Sequence, residues 1–310
     1  MALGFFTRFR AVSRLRDVAT SRRLAGPDFI CIGAPKTGTA WLFDQLNHHP
    51  DFWMPPVKEL RGLKFRAPTP QTLSTYEALV ANQAKLNRQR ARSKYLRPLT
   101  EKDREFLESY IKLPPGTHLS RYAKLFALKD GLKSGDITPA YSALPERIIA
   151  RVARRFPDAR ILFHARDPVE RFWSQYCMYR VRGGMEFVNN LDLIRTILDK
   201  RSTIGRSFPT DAIARWTAHY PSEQFKVCFF DDLRSNSEKM RHEIISFIGA
   251  NPDAPSGRLV ASFNRKASAK RVEMPPRVRE YLVGHFKEEL LACAELLGGP
   301  ARAWPAKHGL

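Results

Sequence analysis

Lys36, Thr37, Gly38 and Thr39 stand together between two apolar stretches. Before them runs "DFICIGA" (28–34). After them comes "TAWLFDQLNHH" (39–49), in which Trp41, Leu42, Gln45 and Leu46 recur at helical spacing. A simple turn needs none of these residue types. A loop between a buried strand and a helix start presents backbone N–H groups and the positive end of the helix dipole, which together hold an anion. Gly38 leaves room for that anion, the hydroxyls of Thr37 and Thr39 can donate to it, and Lys36 adds a point charge.

Gly33 and Gly38 have the separation of the phosphate loop G-x-x-x-x-G-K-[ST], but Thr39-Ala40 stands where Lys-Ser/Thr belongs. The lysine has moved inside the loop, and Ala40 has no hydroxyl to hold Mg²⁺. This suits a transferred group less charged than phosphoryl, such as sulfuryl. A second constellation lies in "RILFHARDPVERFWSQYCMYRVRGG" (160–184). Arg166 ends an apolar strand, Asp167 can cap the next helix, Pro168 suits its first turn, and Gly183 and Gly184 end it. Ser174 falls about two turns into that helix, so Arg166 and Ser174 can face one crevice.

These loops need a scaffold. Buried strands at 28–34, from 160 to Arg166, and at 224–233 alternate with helices, the last helix running through "SEKMRHEIISFIGA". That order predicts an α/β fold with a parallel sheet covered on both faces. Residues 67–133, with "KLNRQRARSK" and "LPPG", break the alternation and read as a helical cap inserted into one domain spanning 28–310. Residues 1–27 carry six arginines and one acid, with Phe5, Phe9, Val12 and Leu15 at helical spacing. They read as a basic, partly ordered arm, with a surface-seeking amphipathic helix or an organelle-targeting segment as the alternatives.

Lys and Arg total 52 against 31 Asp and Glu, a net charge of +21, which implies anionic partners. The basic stretches match no nucleic-acid reader motif, so nucleic acid is not the expected partner. Cys31, Cys177, Cys228 and Cys293 are far apart and read as reduced, which predicts a cytoplasmic protein, peripheral to a membrane if the arm binds one. No stretch is long and apolar enough to span a bilayer. His48, His49 and His164 lack partners at metal spacing, and His48-His49 closes a helix where its dipole favours a cation.

Pro35-Lys36-Thr37-Gly38-Thr39-Ala40-Trp41-Leu42 resembles the 5′-phosphosulfate loop P-K-[TS]-G-[TS]-[TS]-W-L of the sulfotransferases that use 3′-phosphoadenosine 5′-phosphosulfate (PAPS). Ala40 departs from it and leaves only its backbone N–H. Arg166-Asp167-Pro168, with Arg171, Ser174 and Tyr176, resembles the family's second motif, R-[DN]-P-x-x-R-x-x-S-x-Y. In motif style the chain is similar to the bacterial and Golgi carbohydrate sulfotransferases of heparan sulfate type.

The resemblance implies a three-layer fold like that of the P-loop-containing nucleotide hydrolases. It implies that residues 36–41 hold the 5′ end of PAPS and that Arg166 and Ser174 hold its 3′-phosphate. "MPPVKELRGL" (54–63) implies Glu59 as the base, with Lys58 and Arg61 near the acceptor. "SGDITPAYSAL" (134–144) implies Asp136 and Tyr141 in the acceptor wall, and "NRKASAKR" (264–271) implies Ser268, Lys270 and Arg271 at the nucleotide. No metal is required. The expected acceptor is a hydroxyl or amine of a glycan or glycolipid. A small natural product or peptide stays open as acceptor, as does a P-loop kinase with Asp231 after the "CFFDDL" strand.

Overall fold

The computed structural model describes residues 26–64, 70–93, 95–113, 118–180, 187–255, 259–265 and 272–310. Its centre is β1 (Phe29–Gly33), buried at every position. Side chains alternate across a strand, so Phe29 and Cys31 face one side and Ile30 and Ile32 the other. β2 (Gly135–Ile137) and β3 (Arg160–Ala165) flank β1, and β4 (Phe225–Phe229) lies beyond β3, all parallel in the order β2-β1-β3-β4. Phe29 sits opposite both Gly135 and Arg160. A Cβ on Gly135 would stand 2.4 Å from the Phe29 ring, so the edge strand closes on β1 only with glycine there.

Helices cover both faces. α1 (Thr39–Asn47) leaves β1 directly. Between α1 and β2 lie α2 (Pro70–Ala81), α3 (Gln83–Ala91), α4 (Glu101–Ile111) and α5 (Leu119–Lys124). α6 (Glu146–Arg155) precedes β3, and α7 (Pro168–Arg180) follows it. α8 (Leu191–Leu198), α9 (Arg201–Ser207) and α10 (Pro209–Thr217) lead to β4. Then come α11 (Phe230–Ser235), α12 (Ser237–Ile248), α13 (Pro276–Leu297) and α14 (Trp304–Lys307). On one face Phe29, Cys31 and Leu162 pack with Trp41, Leu42 and Leu46 of α1 and Ile244 and Ile248 of α12. On the other, Ile30, Ile32 and Phe163 pack with Val152, Phe172, Phe286 and Phe106. Full burial of each large side chain is worth roughly 1.5–3 kcal/mol, so this three-layer arrangement is held chiefly by the two apolar faces.

The strand expected over 224–233 ends at Phe229, where α11 begins. Asp231 and Asp232 fall in the first turn of α11, where the helix dipole favours acids and a buried strand does not. The four cysteines are free. Residues 1–25 of the basic arm, and Gly183-Gly184, lie outside the described residues.

The stretch between α1 and β2 is tied to the end of α1 through one buried carboxylate. Asp103 is fully buried and accepts from Thr100 N (2.8 Å), Trp53 Nε1 (3.2 Å) and Arg97 Nη2 (2.7 Å), while Arg97 Nε donates to Asn47 Oδ1 at the end of α1 (3.0 Å). Burial alone would raise the Asp103 pKa, but the Arg97 guanidinium outweighs it and holds the carboxyl below its ordinary value. From α4, the Tyr110 hydroxyl donates to the carbonyl of Leu60 and braces the loop that carries Glu59.

Candidate functional site

The turn after β1 is held open from beneath. Gly38 caps α1 at φ 90° with no side-chain hydrogen bond, which leaves the first helical N–H groups facing outward. A Cβ there would come within 2.4 Å of Leu233 Cδ2. Lys36 also takes a left-handed conformation, φ 71°. Thr37 is buried and its hydroxyl donates to Ala34 O at 2.6 Å, so the loop keeps the Thr37 hydroxyl for itself and offers an anion only the Thr37 N–H. That corrects the expectation for the Thr37 side chain. His164 Nδ1 lies 3.2 Å from Thr37 O. A carbonyl only accepts, so Nδ1 carries the hydrogen and Nε2 is bare. Full burial pushes His164 down to about 4, which keeps it neutral.

Lys58, expected near the acceptor, reaches the first residue of α1. Its Nζ donates to Thr39 Oγ1 at 3.0 Å, inside the anion loop. Thr39 accepts that bond and so keeps its own proton to donate outward. Burial lowers the Lys58 pKa, and Glu59, with Oε1 at 3.7 Å, opposes the shift. Glu59 Oε2 lies 3.2 Å from Arg61 Nη2. The Glu59 carboxylate is thus held between two cations and remains 35% exposed, while Glu59 and Arg61 both take left-handed conformations.

Asp136 and Tyr141 lie beneath this loop rather than on an open wall, with exposures of 1% and 0%. Asp136 accepts from Tyr141 OH (2.6 Å), Tyr122 OH (2.8 Å) and Thr138 Oγ1 (2.7 Å), and Leu63 N donates to Tyr141 OH (3.2 Å). Desolvation raises the Asp136 pKa against those bonds. The pair shapes the loop of Lys58, Glu59 and Arg61 from below.

The second motif meets the first. Arg166 Nη1 donates to Lys36 O at 2.9 Å, and its guanidinium lies 4.4 Å from the centre of the Phe230 ring. Phe230 escaped the sequence reading because an aromatic after a buried strand reads as core. Asp167 Oδ1 caps α7 through Val169 N (2.9 Å), and Asp167 Oδ2 lies 2.7 Å from His308 Nε2 and 3.4 Å from Lys307 Nζ. On α7 the i, i+3 and i+7 positions Arg171, Ser174 and Met178 share a face. Lys36 Nζ meets Met178 Sδ at 3.7 Å, so the face that carries Ser174 runs toward the Lys36 loop. Ser174 itself is half-buried.

Two tryptophans reach from the motif helices to the late segment. Trp41 is 1% exposed and donates through Nε1 to Ala261 O at 2.7 Å; Trp173 Nε1 donates to Val272 O at 2.9 Å. Trp41 therefore offers the loop its backbone, not its ring. Ser268, Lys270 and Arg271 lie outside the described residues, but both flanks of their segment are pinned beside the two motifs. Among the described residues no group of three His, Cys, Asp or Glu could hold a metal ion.

A family model described as "Sulfotransferase family" matches residues 27–253. Human carbohydrate sulfotransferase 15 is 23% identical over 322 residues, covering 90% of this chain and 54% of that protein. The rat protein of the same name is 23% identical over 320 residues with the same coverage. The chain thus spans about half the length of the curated relatives it matches. The crystal structure of a sulfotransferase from Alicyclobacillus acidocaldarius superposes with a TM-score of 0.60 at 22% identity, covering 90% of this chain and 99% of that one, a likeness of fold.

Proposed function

We propose that this chain, which belongs to the Sulfotransferase family, moves a sulfuryl group from PAPS to a hydroxyl or amine of a carbohydrate or glycolipid. The observation that carries the reading is the bond from Arg166 Nη1 to Lys36 O, which draws two anion-binding motifs into one site. A nucleotide with anions at both its 3′ and 5′ positions needs such a pair. The residues present suit it. The open helix end at Gly38, the outward proton of Thr39 and the charges of Lys36 and Lys58 serve the 5′ end; Arg166 and Ser174 serve the 3′-phosphate. The similarity to carbohydrate sulfotransferases and the net charge of +21 support a glycan acceptor.

PAPS, when bound, supplies an activated sulfuryl group. Lys36 and the amides at the start of α1 then face the oxygen on which negative charge grows, and their fixed orientation means little reorganisation is needed. Glu59 takes the proton of the acceptor. Lys58 and Arg61 hold its carboxylate beside the loop, one residue from the ammonium that binds Thr39. Asp136 and Tyr141 fix that loop from below. A transfer screen with radiolabelled PAPS across glycans, glycolipids, phenols and peptides tests the reading. Label must move to a glycan or glycolipid and not to the other classes. Transfer to no acceptor, together with no binding of adenosine 3′,5′-bisphosphate (PAP), defeats it.

A further inference from the structure

Arg171 is 0% exposed on α7, three residues before Ser174. Its Nη1 donates to Gln175 Oε1 at 2.7 Å and its Nη2 to Ser207 Oγ at 2.6 Å, both neutral, while Nε has no partner among the described residues. Among the described residues the charges that act on it are Arg166 and Arg206, both cations, and Arg206 Nε is also without a partner there. The buried Asp103 shows the usual solution: its carboxylate is matched by Arg97. Among the described residues Arg171 has no such match. A buried guanidinium without an acid is costly to keep, and an apolar side chain of similar length would fit more cheaply.

The missing negative charge has an evident place. Arg171 shares a helical face with Ser174 and feels the charge of Arg166, the two residues assigned above to a phosphate. We propose that Arg171 is a positioning residue whose buried charge, without touching the ligand, favours a phosphate dianion at Arg166 and Ser174 and is balanced only when that dianion is bound. This rests on the PAPS reading of the site and adds to it a source of discrimination for the 3′-phosphate. Burial and the two neighbouring arginines hold the Arg171 guanidinium down to about 9, and it stays charged at neutral pH.

The test supplies the absent acid artificially. Gln175→Glu places a carboxylate where Arg171 Nη1 already donates, with almost no change of shape. Without ligand this variant should melt above wild type. By calorimetry its affinity for PAP should fall about tenfold, the scale of one unit charge several ångströms away at intermediate dielectric. Its affinity for adenosine 5′-monophosphate, which lacks the 3′-phosphate, should change less than about twofold. Arg171→Met should give the same split between the two ligands; if it does not fold, Gln175→Glu decides alone. Parallel losses for both ligands, unchanged PAP affinity, or a Gln175→Glu protein that melts below wild type or fails to fold would each overturn the proposal. If the wild-type protein binds no PAP at all, the reading of the site falls first. If it binds PAP and the ratio of the two affinities does not move, only the role of Arg171 falls.

Discussion

Lys58 Nζ donates to Thr39 Oγ1 at 3.0 Å, which ties the lysine beside Glu59 to the first residue of α1 and, in the function proposed above, to the nucleotide rather than the acceptor. Lys58→Gln keeps a donor for Thr39 and removes the charge. A charge-assisted contact is worth roughly 1.5–3 kcal/mol, so affinity for PAP and for adenosine 5′-monophosphate should fall together by about tenfold or more. Burial depresses the Lys58 pKa, which means that its charged form costs stability at neutral pH, so the variant should melt no lower than wild type. A raised acceptor KM with unchanged nucleotide affinity would return Lys58 to the acceptor side.

Arg166→Ala should separate the same two ligands. Its guanidinium is assigned to the 3′-phosphate, so PAP affinity should fall at least about tenfold and affinity for adenosine 5′-phosphosulfate should hardly change. Arg166 Nη1 also braces Lys36 O. If bracing is its whole contribution, both ligands weaken equally in titration calorimetry.

Glu59→Gln keeps shape and hydrogen bonding but cannot take a proton. A general base contributes roughly 10²–10⁴ in rate, so kcat with a sugar acceptor should fall at least about a hundredfold while PAP affinity stays near wild type. Asp136→Asn should behave in the opposite way. Asp136 is 1% exposed and bound to three hydroxyls, so its loss should lower the melting temperature and leave turnover per folded molecule largely intact. Near wild-type kcat in Glu59→Gln would move the base elsewhere.

His164 gives the fold an acid limit. Its folded pKa of about 4 lies below the ordinary 6.5, so between those values the unfolded chain binds a proton that the folded chain does not. Its contribution is fully present above pH 6.5 and is lost as pH falls toward 4, at up to about 1.4 kcal/mol per pH unit. His164→Asn can still donate to Thr37 O and does not titrate. Urea denaturation across this window should show a shallower decline for the variant; identical slopes would mean other groups set the acid limit.

The parts of this molecule that depend on local pattern could be read in the sequence. Alternating buried strands and helices predicted the parallel sheet, and Lys36 and Arg166 each sit at the strand end where their motifs put them. What could not be read are the contacts between segments. The hydroxyl of Thr37 bends back to Ala34, Lys58 reaches across to Thr39, and Asp136 and Tyr141 turn under the loop instead of lining it. Each depends on which of two possible partners a polar group finds once the layers close, and a motif records residue types without recording that choice. The end of β4 at Phe229 is different in kind, since the two acids that follow could have signalled a helix start.

Lys36 and Arg166 are 130 residues apart in the chain and meet only because β1 pairs with β3. Most of the sequence between them has to be traversed before either loop acquires its other half. Contacts of such long range form slowly and all at once, so during refolding the ability to hold a nucleotide with anions at both its 3′ and 5′ positions should emerge with the last cooperative phase and not with early helix formation. On the proposed function, nucleotide capture is then a clock for completed folding, and any fragment lacking either strand should be silent in that assay.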